Sequence, residues 1–390
     1  VVSSLPAQLQ TQRALSVENA DQRGAYIFAN SAVTGMVMVV VRNHEVIFRS
    51  YGETFPGSNH KPDANSLVRL CSISKVLTGD LLVRLNAEGK LRLDDPLQRF
   101  APQGKIVPTR AGARPITLRD LATHTSGLPR EVGPYPQNVP HFTFPDKAYR
   151  WNWLQHRRLI TPPGTAALYS NVGFDFLGDA LASAAGEPYA QLLRERIVRP
   201  LALRDTTLAP TADQCSQLLR GTGDEGPCTD TQASGASGGV YSTPTDMARL
   251  MQSMLQIPGM PAQPSPALDV DLRPSQLRSM NGLSHAGDPS GIGLAWIQLG
   301  DPAGPSTLLE KTGGGAGFTI YIALSLKRHT GIFLAVTDGT GRAHIDFYHE
   351  ANTLLADLAA VPPLPPKVHT NSHHAKRRLH HRRGPTAHPS

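Results

Sequence analysis

"LCSISKVLTG", residues 70–79, sets a hydroxyl, Ser72, and an amine, Lys75, three positions apart in an otherwise apolar run. Leu77, Leu81 and Leu85 then recur every four residues, so the segment reads as the start of a helix. Residues three apart on a helix lie on nearly one face, which lets the two side chains touch. A serine hydroxyl is a poor nucleophile at its free pKa, and a desolvated lysine with a lowered pKa can accept its proton. Free backbone N–H groups at a helix N-terminus also favour the charge that develops in acyl transfer. Spacing alone is weak evidence, because Ser58-Asn59-His60-Lys61 repeats it between Pro56-Gly57 and Pro62, where no helix can organise it. Gly235-Ala236-Ser237-Gly238-Gly239 fits a G-x-S-x-G elbow, but no strand precedes it, so it reads as a flexible turn.

Two further elements add to the first. Tyr169-Ser170-Asn171, the only Y-x-N in the chain, falls in a loop just before a helical stretch. A phenol beside ammonium groups can shuttle a proton, and an amide next to it can orient an acyl side chain. The plainer reading is a packed tyrosine at a helix start. Lys311-Thr312-Gly313, in "LLEKTGGGAGFTIYIAL", can bind a carboxylate, while its glycines let a substrate lie against backbone N–H groups. No G-x-x-x-x-G-K-[ST] loop is present, which argues against a phosphate cradle.

The 390 residues suffice for two or three domain-sized units, and 40% hydrophobic with 18% charged content describes a globular chain. No apolar run reaches the roughly 18 residues of a membrane span. The chain begins at Val1 rather than Met, as expected after removal of an export signal. Of the net charge of +7, Lys367, Lys376, Arg377, Arg378, Arg382 and Arg383 supply six, leaving about +1 for the body and no footprint for nucleic acid. The Pro/His/Arg-rich segment 361–390 is expected to be a disordered, solvated tail, with weak contact to an anionic polymer or membrane surface as its alternative. Cys215 and Cys228 flank a run of turn formers. They are expected to form a disulfide if the compartment is oxidising, and two buried free thiols otherwise. Cys71 reads as a small buried hydrophobe.

Thr34–Val41 and Glu45–Ser50 read as an early hairpin. Near the other end, alternating Ile320, Ile322, Leu324 and Leu326 and the run "IFLAV" read as adjacent antiparallel strands, followed by a helix over 345–359. Strands early and late with helices between imply an α+β fold. Its sheet region would comprise 1–66 and 290–360, with 67–289 a mainly helical insertion carrying S-x-x-K and Y-x-N.

Taken in order, S-x-x-K, Y-x-N and K-T-G resemble the penicillin-binding protein and serine β-lactamase superfamily. "THTSGLP", "GKLRLDDPL", "GGVYSTPTDMARLM" and "YSNVGFDFLG" are similar to its class C branch, and no E-x-x-L-N loop of class A occurs. "FRSYGETFPG", "LATHTSGLPRE", the Cys215/Cys228 pair and "KTGGGAGF" further resemble AmpH-type D-alanyl-D-alanine carboxypeptidase/endopeptidases of the Gram-negative periplasm. The resemblance implies a central antiparallel sheet flanked by helices. It implies Ser72 as the acylated nucleophile, Lys75 as its proton acceptor and Tyr169 as the second acid/base. Asn171 would contact the substrate side-chain amide, and Lys311, Thr312 and Gly313 would line the carboxylate end. The backbone N–H groups of Ser72 and Gly314 would form the oxyanion hole. His124 has no assigned role and reads as a structural loop histidine. The implied partners are peptidoglycan muropeptides and β-lactams as covalent ligands, with no metal or organic cofactor. The alternatives are a class C-type β-lactamase, an esterase on the same scaffold, or a noncatalytic wall-binding module.

Overall fold

The computed structural model describes residues 7–133, 135–223, 225–259, 270–272, 276–301, 303–362 and 364. The basic tail beyond them, for which disorder was expected, lies outside the described residues.

Eight strands form one antiparallel sheet: β1 (Val33–Arg42), β2 (Glu45–Gly52), β3 (Val270–Leu272), β4 (Pro289–Gly293), β5 (Ile297–Leu299), β6 (Leu308–Gly315), β7 (Phe318–Ser325) and β8 (Thr330–Asp338). Their spatial order is β2-β1-β8-β7-β6-β5-β4-β3, so the early hairpin joins the late strands through the β1–β8 pair. β3 falls inside the stretch read from sequence as mainly helical.

The continuous apolar runs of β1 and β8 follow from burial on both faces. Val37, Val39, Val41, Phe333 and Ala335 pack into the core shared with the helical region. Met36, Met38, Val40, Ile332, Leu334 and Val336 face the other way, into a second core. Helices α1 (Ala7–Asn30) and α5 (Phe347–Ala359) cover that second face, and Arg23 ties them together through Glu350 at 2.9 Å and Asp357 at 3.2 Å.

On the first face the central element is α2 (Ser74–Ala87), buried along most of its length, with α3 (Asn171–Ala185) and α4 (Pro244–Met254) around it. Gly186 ends α3 in the left-handed conformation. Cys215 and Cys228 are joined in a disulfide, with Cα atoms 5.8 Å apart.

Candidate active site

Ser72 does not sit in α2 itself. It is the middle residue of a 3-10 turn, Cys71–Ile73, that leads into the helix. Cys71 adopts φ +47°, a strained conformation for a residue with a side chain. Its thiol is fully buried, donates to the Gly315 carbonyl at 3.4 Å and is pushed up to about 12 by burial, which makes it inert.

Beyond Glu310, β6 has no strand partner on its second edge among the described residues, because β5 pairs only with Leu308, Leu309 and Glu310. The open edge Lys311–Gly315 runs past the Ser72 turn. A Cβ on Gly313 would meet the Leu70 carbonyl at 2.8 Å and the Ser72 nitrogen at 3.4 Å, so only glycine permits this approach. Gly314, one residue on, is exposed. Thr312 is half-buried, and its hydroxyl has no hydrogen bond among the described residues.

Around the Ser72 hydroxyl the predicted residues converge. Lys75 Nζ donates to Ser72 Oγ at 3.1 Å, and the Tyr169 hydroxyl donates to it at 2.5 Å. Lys75 also donates to Asn171 Oδ1 at 2.7 Å and to the Ser237 carbonyl at 2.5 Å. Lys311 Nζ lies 5.0 Å from the Tyr169 ring centroid. Both lysines are buried. Burial brings Lys75 down to about 7, with the Asp175 and Glu131 carboxylates opposing the drop. Lys311 is lowered as well, again chiefly by burial. At about 7, Lys75 is available as a neutral amine at ordinary pH.

The Tyr169 loop is held from several sides. Its backbone N–H donates to the Asn281 carbonyl at 3.1 Å, next to a short parallel ladder between Ala167–Leu168 and Met280–Asn281. Ser170 caps α3 by accepting from Gly173 N at 2.9 Å and anchors outward to the Pro129 carbonyl at 2.7 Å. His124 stacks on the Tyr169 ring with centroids 4.5 Å apart, and its Nδ1 accepts from Ser170 N at 3.1 Å. The Nδ1 acceptor role requires the proton on Nε2. Burial, reinforced by the nearby cations, holds this imidazole well below its usual range, so it stays neutral. The geometry is that of a packed loop histidine, as read from the sequence.

Three contributors were not found in the sequence. Glu131 accepts from Asn171 Nδ2 at 2.5 Å, which turns the amide oxygen toward Lys75. Asp175, one turn along α3 from Asn171, is buried, and burial raises its carboxyl to about 7. The Gly235–Gly239 segment, read as a flexible turn, is instead buried and pinned: Thr78 donates to the Ala236 carbonyl at 2.7 Å, and Ser237 offers its carbonyl rather than its hydroxyl to the site. The S-x-x-K look-alike at Ser58–Lys61 is a loop on the surface. Spacing carries no trace of Glu131 or Asp175, although the Glu after "GLPR" and the Asp after "NVGF" lie inside segments quoted for the resemblance.

Known proteins resemble this chain in sequence and in overall structure. Residues 18–356 match the Beta-lactamase family. The chain is 39% identical over 360 residues to the D-alanyl-D-alanine-carboxypeptidase/endopeptidase AmpH of Escherichia coli K12, covering 92% of this chain and 93% of that one. Its structure matches a beta-lactamase/D-alanine carboxypeptidase from Yersinia pestis, solved with citrate, at TM-score 0.85 and 41% identity, over 89% of this chain and 99% of that one. A D-alanine carboxypeptidase from Burkholderia cenocepacia, 21% identical with TM-score 0.69 and covering 90% of this chain and 99% of that one, shares the fold. With a serine, a low-pKa lysine and a tyrosine meeting under an open strand edge, and with a match across most of its length, the chain belongs to the beta-lactamase family.

Proposed function

We propose that this protein is a serine DD-peptidase of peptidoglycan stem peptides. It would act as a D-Ala-D-Ala carboxypeptidase and DD-endopeptidase in the periplasm and be acylated by penicillins. The carrying observation is the double hydrogen bond to Ser72 Oγ, from a lysine brought down to about 7 and from a tyrosine hydroxyl.

In this reading neutral Lys75 takes the Ser72 proton as Oγ attacks the carbonyl of the penultimate D-Ala, forming the Oγ–C bond. The backbone N–H groups of Ser72 and Gly314 face the developing oxyanion. The C–N bond then breaks, and Tyr169 passes a proton to the leaving amine. Water enters, the same groups work in reverse, and the acyl group leaves as a free acid. Lys311 and Thr312 hold the terminal carboxylate of the leaving residue, Gly313 gives the strand its close approach, and Asn171 faces the acyl side. The open edge of β6 supports this orientation, because an extended peptide can pair with it.

Digestion of purified muropeptides tests the proposal, comparing pentapeptide monomers with cross-linked dimers for wild type and Ser72→Ala. Both substrates should be cut by wild type, and the variant should lose at least about a thousandfold in rate. If wild type leaves both uncut, the peptidase reading is wrong. Rapid turnover of cephalosporins with both muropeptides intact would replace it with a β-lactamase.

A further inference from the structure

Arg130 belongs to none of the three motifs, yet its guanidinium stands 4.8 Å over the Tyr169 ring. Its carbonyl accepts from Asn171 N at 2.9 Å and Val172 N at 3.3 Å, which fixes its backbone at the head of α3. The side chain remains 60% exposed. Its ion-pair neighbour, Glu131 Oε1, is 3.7 Å from Nε, beyond hydrogen-bond reach. The Glu131 oxygens are engaged elsewhere, by Asn171 Nδ2 at 2.5 Å and the Tyr135 hydroxyl at 3.4 Å. Among the described residues, therefore, the five donors of this guanidinium make no hydrogen bond.

The charge pattern points the same way. Lys75, Lys311 and Arg130 all lie within 5.0 Å of one ring centroid. The Arg130 charge opposes protonation of His124, Lys75 and Lys311. A further positive charge beside these groups is unfavourable by itself and becomes favourable when an anion arrives. A planar guanidinium with its fork unfilled matches a carboxylate, which it can hold in a bidentate manner.

We infer that Arg130 receives a carboxylate on the acyl side of the substrate, so that the site selects acyl donors bearing an anionic group near the scissile bond. The acyl side follows from the backbone bond between Arg130 and Asn171, the residue assigned to that side. Lys311 serves the leaving-group carboxylate. The inference rests on the serine acyl-transfer reading and extends it to specificity.

Benzylpenicillin and carbenicillin differ by one carboxylate on the acyl side chain and make a matched pair of probes. The rate at which each labels Ser72 is measured by mass spectrometry for wild type, Arg130→Gln and Arg130→Lys. The carbenicillin-to-benzylpenicillin rate ratio is expected to fall about tenfold in Arg130→Gln and less in Arg130→Lys, which keeps the charge but loses the fork. An unchanged ratio in both variants overturns the inference and leaves the acyl-enzyme reading standing. If Arg130→Gln does not fold, the ratio in Arg130→Lys decides by the same criterion. If neither compound labels wild-type Ser72, the parent reading falls and this one with it; labelling by benzylpenicillin alone overturns only this inference.

Discussion

Replacing Asp175 with Asn should move the acid limb of Ser72 acylation to lower pH. In the proposed mechanism Lys75 must be neutral to accept the serine proton, so the rate should fall as pH drops through its pKa of about 7. Burial lowers that pKa, and among the charges around it the Asp175 carboxylate opposes the drop most, followed by Glu131, while Arg130 reinforces it. Removing the carboxylate leaves burial less opposed, and the ammonium form becomes harder to keep. An opposite charge within about 4–6 Å of a group shifts its pKa by about 1–3. Because burial also brings Asp175 to about 7, it is only part-ionised where Lys75 titrates, and the two share their protons as a pair. The lower end of that range therefore applies, and the limb should move down by about one pH unit. At about pH 6 the variant would then acylate about fivefold faster than wild type, the two converging above about pH 8. The assay is the second-order rate of penicillin labelling across pH. Asn keeps the size of the Asp175 side chain, and thermal melts at each pH check folding. An acid limb that stays in place or moves upward refutes the assignment of Lys75 as the base under Asp175 control.

Other perturbations separate structure from chemistry. A methyl group on Gly313 collides with the Leu70 carbonyl, so Gly313→Ala should push β6 off the Ser72 turn and slow acylation at least about tenfold, as measured by penicillin labelling. His124→Phe keeps a ring against Tyr169 but leaves the Ser170 N–H without its acceptor; chemical denaturation should show a loss of about 1–3 kcal/mol, while the acid limb of acylation stays where it is, because the histidine is neutral throughout. Glu310, buried on the far face of β6, is raised by burial from 4.5 to about 8, so between those values the folded state binds more protons than the unfolded one. Stability is then lost as pH rises from about 4.5 to about 8, and Glu310→Gln should melt above wild type by an amount that grows over that window and is worth a few kcal/mol, of order, at its end.

The serine and lysine were legible in the sequence because their meeting is local: three positions apart, the chain geometry alone brings them together. Even so, the local geometry differs from a plain helix. Ser72 occupies a 3-10 turn after a left-handed Cys71, and no residue preference near Cys71 announces that conformation. Helix α1 was not read at all. Over its residues 17–30 the buried positions are Ala20, Gly24 and Ile27, a stripe of mostly small residues that carries no strong apolar period. What tunes the lysine was equally invisible, since Asn171 and the Ser237 carbonyl approach it from 96 and 162 positions away and burial arises only when all three elements close over it. The Gly235–Gly239 turn makes the point most directly. Read as a string, it offers a serine in a known elbow pattern, and the hydroxyl draws attention. Packed against α2, that hydroxyl turns to the Ser234 carbonyl at 3.3 Å, and the atom that reaches Lys75 is a backbone oxygen present at every residue of the chain. A motif can mark which side chains carry chemistry, but the acceptors that set their protonation are backbone and buried groups whose identity leaves no signature, so the pKa of Lys75 is a property of the fold rather than of the S-x-x-K pattern.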